Sequence, residues 1–219
     1  MSTRLTFLIL SGPTKEYIDP VRYISNESSG KMGKALAEAV LEKDHKVIFV
    51  SGHVNVLPKN VKLIKVISAL EMLEAVKANL KKSDVIISAA AVADYRPAKI
   101  CKHKIKKSYS TSYETIELRR NPDIVKYCAD HKTNQVVVGF ALETCDILKN
   151  AKLKLKKKNL DLIIANGKES FGSDSATVHV ISADGILKMK NKNKKIIARR
   201  IINETIRIFQ NIKVDKKIS

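Results

Sequence analysis

Thr6-Phe7-Leu8-Ile9-Leu10 is a short apolar run that ends in Ser11-Gly12-Pro13. A run of that length bounded by turn residues reads as a strand buried on both faces that stops at a loop. Beyond the loop, Met32, Ala35, Leu36, Ala39 and Val40 recur at helical spacing, and a second apolar strand runs from His45 through Val50. Strand, helix, strand is a βαβ unit, and the alternation continues. Val61 to Val66 predicts a strand, and Ser68 with Glu71 three residues later is a capping box opening a helix that buries Met72, Ala75, Val76 and Leu80. Val85 to Ser88, Gln135 to Val138 and Leu160 to Ala165 are further strands. Asn121-Pro122 predicts a helix start, and a lysine-rich helix is expected over Asp146 to Lys158. Near the end, Asp184-Gly185 joins Thr177–Ile181 to Ile186–Met189 as a hairpin. The Lys188–Lys195 run reads as a polar turn before a last helix from Lys194 to Gln210.

Apolar strands separated by amphipathic helices predict an α/β fold: a doubly wound, mostly parallel, Rossmann-like sheet with a late β-hairpin. No repeat or long linker divides the chain, so residues 1–219 are expected to form a single domain with a frayed tail past Lys213. Hydrophobic residues make up 44% and charged residues 29% of the 219, which excludes a disordered or fibrous chain. The longest early apolar run falls far short of the ~18 residues that a spanning helix needs, and no cleavage site follows it. The three cysteines, Cys101, Cys128 and Cys145, make neither a CxxC pair nor an even disulfide set, which fits a reducing cytoplasm and no structural zinc. Lysine and arginine number 41 against 22 acids, a net charge of +19 that calls for an anionic partner.

In a doubly wound fold ligands sit beyond the carboxyl ends of the strands, so the loops after Leu10, Ser88 and Phe140 are expected to share a crevice. The first, from Ser11 to Gly30, enters a helix through Ser28-Ser29-Gly30-Lys31-Met32-Gly33. Small residues, helix N–H groups and Lys31 there suit a phosphate; packing alone explains the pattern about equally well. It is no Walker A motif, since Ser25 and Met32 stand where glycine and Ser or Thr belong. GxGxxG is also absent, and the second strand ends at Ser51-Gly52 without a ribose-binding acid. The second loop opens Ala89-Ala90-Ala91-Val92-Ala93-Asp94. Alanines admit a flat ring or a sugar close to the backbone, although an alanine run more often means tight packing, and Asp94 can accept from hydroxyls or amines. The Lys102–Lys107 lysines then suit a triphosphate's charge, or are merely solvated. In the third, Phe140 is core or a stacking platform for a base. Leu148, Ala151 and Leu155 read as the buried stripe of the next helix, bordered by Lys154 and Lys158.

Taken in order, Ile18 to Gly33, Ala89 to Pro97, Lys104 to Lys107, Asn121 to Ile124, Gly139 to Thr144 and Lys158 to Asn166 resemble the phosphopantothenoylcysteine synthetases (phosphopantothenate–cysteine ligases) of coenzyme A biosynthesis, in a stand-alone bacterial-type form. The resemblance implies a ligase that joins 4′-phosphopantothenate to L-cysteine through an acyl-nucleotidylate (acyl-CMP), releasing pyrophosphate, with CTP favoured over ATP and Mg2+ required. It implies a cytoplasmic homodimer and a loop around Lys104 that closes over the nucleotide. By family position Ser88, Ala89, Ala90, Ala91, Asp94, Lys104, Pro122, Asp123, Ile124, Val125, Phe140, Lys154 and Lys158 contact the nucleotide. Lys104 and Asn26 are the catalytic positions, for nucleotidylate formation and for its conversion to product; the magnesium ligands are unassigned. Arg22, shortly before Asn26, is a further candidate for holding the substrate's carboxylate or phosphate. Ser28, Ser29, Gly30, Lys31 and Gly33 are candidates for phosphate. The chain departs from the family at Pro13, where a glycine is usual, and at Gly167, where an aspartate is usual. The rival reading from the +19 charge is a basic nucleic-acid-binding α/β protein.

Overall fold

The computed structural model describes residues 3–107, 112, 114–167 and 173–218, with side chains to Val214. Its centre is an eight-stranded sheet. β1 (Thr6–Pro13) lies between β4 (Lys46–Ser51) and β6 (Val85–Ala91), parallel to both. β5 (Lys62–Lys65) continues the parallel run outside β4, and β9 (Val136–Leu142) and β10 (Leu162–Asn166) continue it beyond β6. The hairpin of β11 (Ser175–Ser182) and β12 (Gly185–Asn193) closes that side antiparallel, giving the order β12-β11-β10-β9-β6-β1-β4-β5.

β1 carries apolar side chains to both faces, as a strand covered on two sides must. Phe7 and Ile9 join one buried cluster with Leu36 and Val40 of α1 (Lys31–Leu41) and Ile197 and Ile201 of α5 (Lys194–Ile218). Leu8 and Leu10 join another with Met72 and Val76 of α2 (Ala69–Asn79), Cys128 of α3 (Ile124–Asp130) and Ala151 of α4 (Ile147–Lys157). Burying each large apolar side chain is worth about 1.5–3 kcal/mol relative to exposure, so the two clusters account for the doubly wound form. Burial also pushes the Cys128 thiol up to about 12, which makes it inert at neutral pH.

Several expected elements differ. The stretch read as a loop from Ser11 to Gly30 contains a separate hairpin, β2 (Lys15–Asp19) with β3 (Arg22–Ser25), held to the start of α2 by Lys15 N–H to Ile67 O (2.8 Å) and Ala69 N–H to the buried Glu16 Oε1 (2.9 Å). A second small hairpin pairs β7 (Tyr95–Pro97) with β8 (Leu118–Arg120). The capping box forms at α2, with Ser68 accepting from Glu71 N–H, while the Glu71 carboxylate reaches one residue further back to Ile67 N–H. Asn121 is not a helix cap; Asp123 caps α3, and Asn121 spends its amide on Ala93 O and Arg96. The Lys188–Lys195 run is no turn, because β11 supplies a partner that draws it into β12 as far as Asn193. Ile147, not the exposed Leu148, shares the inward stripe of α4 with Ala151 and Leu155. The last helix runs on to Ile218, past Gln210.

Two glycines shape the start of α1. Gly30 precedes the helix with φ +72°, a conformation costly for other residues. A Cβ on Gly33 would stand 2.1 Å from Ser11 Oγ and 2.5 Å from Ser11 Cβ. Gly33→Ala is therefore expected to destabilise the fold by about 1–3 kcal/mol, the usual cost of overpacking. Ser11→Gly in the same chain should recover much of the loss, a coupling that denaturant midpoints of the two single variants and the double variant would reveal.

Candidate functional site

β1 runs past its apolar segment alongside β6, with Gly12 opposite Ala90 and Pro13 opposite Ala91. Pro13 has no N–H to donate there; Thr14 N–H turns to Ala91 O at 3.4 Å, and Pro13 O accepts from His53 N–H at 3.3 Å. At this end of the sheet the chain opens two cavities that share Ala90 and Phe140.

The larger, about 600 Å3, lies along the start of α1. It gathers Asn26, the 28–31 turn and Gly33 with Ala89, Ala90, Ala91 and Phe140. α1 opens without a side-chain cap, and the hydroxyls of Ser28 and Ser29 accept from Gly30 and Lys31 N–H at 3.4 Å. The first-turn donors and the positive end of the helix dipole therefore face a site suited to an anion. Asn26 Nδ2 donates to Val92 O at 3.0 Å, which ties the hairpin's exit to the loop after β6. That bond uses one of the amide's two hydrogens.

The smaller cavity, about 230 Å3, brings together Ser88, Ala90, Asp94, the 122–125 turn, Phe140 and Lys158. Asp123 organises one wall: Oδ1 caps α3 by accepting Lys126 N–H at 3.0 Å, and Oδ2 lies 2.8 Å from Lys158 Nζ. Asn121 stitches the 122–125 turn to the loop after β6: its N–H reaches Asp94 O at 2.8 Å and its Nδ2 reaches Ala93 O at 2.8 Å. A flat polar ring beside Phe140, with Asp94 and Lys158 at hand, suits this geometry.

Three predicted site residues line neither cavity. Lys154 is paired with Glu143 Oε1 at 2.6 Å. Lys104 is exposed on the loop after β7. Arg22 acts on that loop instead of on a cavity: its Nε donates to Asp19 Oδ2 at 2.9 Å and its Nη2 to Ile105 O at 2.7 Å. Asp19, fully buried, also accepts Ile105 N–H at 3.1 Å and the N–H groups of Val21 and Arg22 at 2.9 Å. Ile105 is thus gripped at both its N–H and its C=O, which fixes the backbone next to Lys104. Burial works against the Asp19 charge, but the bonds from Arg22 and three backbone N–H groups outweigh it and hold the carboxyl well below the usual carboxylate range. A lowered pKa means that the clamp is at full strength above about pH 4 and weakens as pH falls towards the folded group's own value.

Leu142 and Asn166, which fall in stretches that carry the resemblance but were given no site role, and Lys194 also line the larger cavity. Lys194 was obscured because its segment read as a solvated turn. Among the described residues no group of three His, Cys, Asp or Glu side chains could hold a metal, and no helix is long and apolar enough to cross a membrane.

Residues 3–208 match the family described as the DNA/pantothenate metabolism flavoprotein C-terminal domain. The chain is 44% identical over 211 residues to the coenzyme A biosynthesis bifunctional protein CoaBC of Haemophilus influenzae, covering 94% of this chain and 52% of that protein. It is 45% identical over 184 residues to CoaBC of Bacillus subtilis, covering 81% and 45%. The chain therefore spans about half the length of these curated relatives. A crystal structure of the C-terminal domain of a CoaBC superposes with a TM-score of 0.81 at 36% identity, covering 94% of this chain and 96% of that one. A Cab2 variant in complex with phosphopantothenate-cysteine has the same fold, TM-score 0.84, at 20% identity, covering 97% and 89%.

Replacing Asp19 with Ala should strand the half-buried N–H of Ile105 and cost about 1–3 kcal/mol. Trypsin should then cut after Lys102 or Lys104 markedly faster at neutral pH; an unchanged digestion pattern would show that the clamp does not hold the loop.

Proposed function

The chain belongs to the DNA/pantothenate metabolism flavoprotein C-terminal domain family, and from that membership and the two joined cavities we propose that it is a phosphopantothenoylcysteine synthetase. The reaction joins 4′-phosphopantothenate to the amine of L-cysteine, with CTP as co-substrate, in coenzyme A biosynthesis. The relatives' description as coenzyme A biosynthesis proteins supports the reading, as does a structural neighbour that holds phosphopantothenate-cysteine. The observation that carries it is the sharing of Ala90 and Phe140 between a ring-sized polar cavity and a larger one at a helix N-terminus. Two such cavities suit a nucleotide and an acid whose carboxylate meets its α-phosphate at the junction.

A carboxylate is a poor acyl donor because its oxygen leaves badly. In the proposed first step the carboxylate oxygen attacks the α-phosphorus of CTP, the bond to pyrophosphate breaks, and an acyl-CMP results. In the second, the cysteine amine attacks the acyl carbon, CMP departs with the oxygen, and the amine's proton passes to solvent. Lys104, on its clamped loop, offsets the charge that builds when two anions meet. Asn26, anchored to Val92 O by one amide hydrogen, has its second for the oxyanion of the acyl-transfer step. Phe140 and Asp94 hold the nucleotide's ring system, and Lys158 holds its phosphates or sugar.

Mg2+ fits this chemistry as an ion carried on the triphosphate. Magnesium commonly keeps its waters and takes one or two carboxylates with substrate phosphates. Bound there, it would neutralise phosphate charge; Asp94 and Asp123 are the carboxylates at hand. A cytoplasmic homodimer remains part of the proposal.

The test is direct. The purified chain with Mg2+, CTP, 4′-phosphopantothenate and cysteine should yield pyrophosphate, CMP and the amide in equal amounts, and failure with both CTP and ATP would reject the reading. Asn26→Ala should still release pyrophosphate but accumulate acyl-CMP, with amide formation slowed about 10²–10³-fold, the range for losing one oxyanion donor. Lys104→Ala should suppress pyrophosphate release itself; release at the unaltered rate would remove this lysine from the first step.

A further inference from the structure

Asp94 lines the smaller cavity, yet its carboxylate is exposed and makes no hydrogen bond or ion pair among the described residues. A side chain without such partners is aimed only by the backbone that carries it. That backbone is closely held. Ala93, which is buried, donates its N–H to Oγ1 of the fully buried Thr14 at 3.0 Å, and its C=O accepts from Asn121 Nδ2 at 2.8 Å. The C=O of Asp94 itself accepts from Asn121 N–H at 2.8 Å. Asn121 therefore grips two successive carbonyls, and the 122–125 turn that follows it lines the same cavity.

Arg96 in turn fixes Asn121. β7 pairs with β8 so that Arg96 lies opposite Arg119. From there its Nη1, which carries two hydrogens, donates to Arg120 O at 2.6 Å and to Asn121 Oδ1 at 2.9 Å. A guanidinium can only donate, so the amide must turn its oxygen to Arg96, and its NH2 is thereby turned to Ala93 O. Without Arg96 the amide keeps one of its two side-chain anchors. Arg96 lines neither cavity and pairs with no carboxylate among the described residues, and its buried Nε has no partner there. A buried N–H left unmade costs free energy. What the arginine contributes is its hold on residues 120 and 121.

We infer that Arg96 is a positioning residue of the nucleotide site: through the Asn121 amide it sets where Asp94 stands relative to the 122–125 turn, and so how tightly the smaller cavity holds a nucleotide. The inference rests on the ligase reading for the identity of that nucleotide.

Initial rates of the full chain are measured for wild type, Arg96→Ala, Arg96→Lys, Asn121→Ala and the double variant Arg96→Ala/Asn121→Ala, with CTP, 4′-phosphopantothenate and cysteine varied in turn. Arg96→Ala should raise the CTP KM about tenfold, as expected for losing one hydrogen bond from a charged donor, and leave kcat and the other two KM values within about twofold. Arg96→Lys, which keeps a charged donor, should recover part of the loss. In the Asn121→Ala background, Arg96→Ala should add less than about twofold, because the residue through which it acts is gone. An unchanged CTP KM or an equal rise in all three KM values would overturn the proposal. So would effects of the two substitutions that multiply, since the guanidinium would then act on the nucleotide without Asn121. Should Arg96→Ala not fold, Arg96→Met, which fills similar space without a donor, takes its place in the same comparisons.

Calorimetric titration with CTP and Mg2+ alone separates failure of this proposal from failure of the ligase reading. A CTP Kd about tenfold weaker in Arg96→Ala upholds the positioning role even if no pyrophosphate is ever released. Equal Kd values overturn it even in an active ligase, and a wild type that neither binds nor consumes CTP overturns both.

Discussion

Everything at this site depends on how closely β1, β6 and α1 come together. β1 extends beside β6 as far as Pro13 opposite Ala91, and α1 can start against it only because Gly33 has no Cβ to strike Ser11. Larger side chains at Ala89, Ala90 or Ala91 would narrow the larger cavity, and at Ala90 both cavities. The same small residues that tighten the packing thus leave the room for a ligand. Packing and binding are here two effects of one steric fact, so the bland and the functional readings of the Ser28–Gly33 and Ala89–Ala91 stretches are compatible.

The parallel strands were legible in the sequence because each is buried on both faces and must read as an unbroken apolar run. The smaller hairpins were not. β2 and β3 mix Lys15, Glu16, Asp19 and Arg22 with aromatics, and their stability comes from long-range bonds such as Glu16 to Ala69 N–H, which no local pattern announces. β12 was missed for a related reason: Lys188, Lys190 and Lys192 look like a solvated turn until β11 supplies the ladder. At the site, residues on strand ends and helix starts were placed well, since the doubly wound topology dictates where those ends converge. Arg22 shows the limit of such reasoning. Its neighbour Asn26 faces the cavity, but the buried Asp19 three positions earlier turns the guanidinium towards Ile105.

The excess of positive charge is spread over elements with different tasks. Lys154 and Lys158 are taken by Glu143 and Asp123, whereas Lys149, Lys152, Lys156 and Lys157 lie on the exposed face of α4. Most ion pairs are solvent-exposed, such as Arg4 with Asp44 and Arg199 with Glu42, and contribute little each to stability. Lys132 with Asp161, both mostly buried, is better placed: Asp161 also accepts Val137 N–H at 2.7 Å and so fastens the start of β10 to β9.

β12 closes the sheet with nearly every side chain exposed, and among the described residues no strand lies beyond its outer row of backbone donors and acceptors. Such a margin invites another polypeptide to add itself as a ninth strand. Were a second copy to approach edge-on, Lys188, Lys190 and Lys192 would face their own counterparts, and electrostatic repulsion would oppose the seam before hydrogen bonds could form. Charge of one sign along an edge strand opposes edge-to-edge pairing of like copies, the device by which exposed sheet margins are kept from templating fibres.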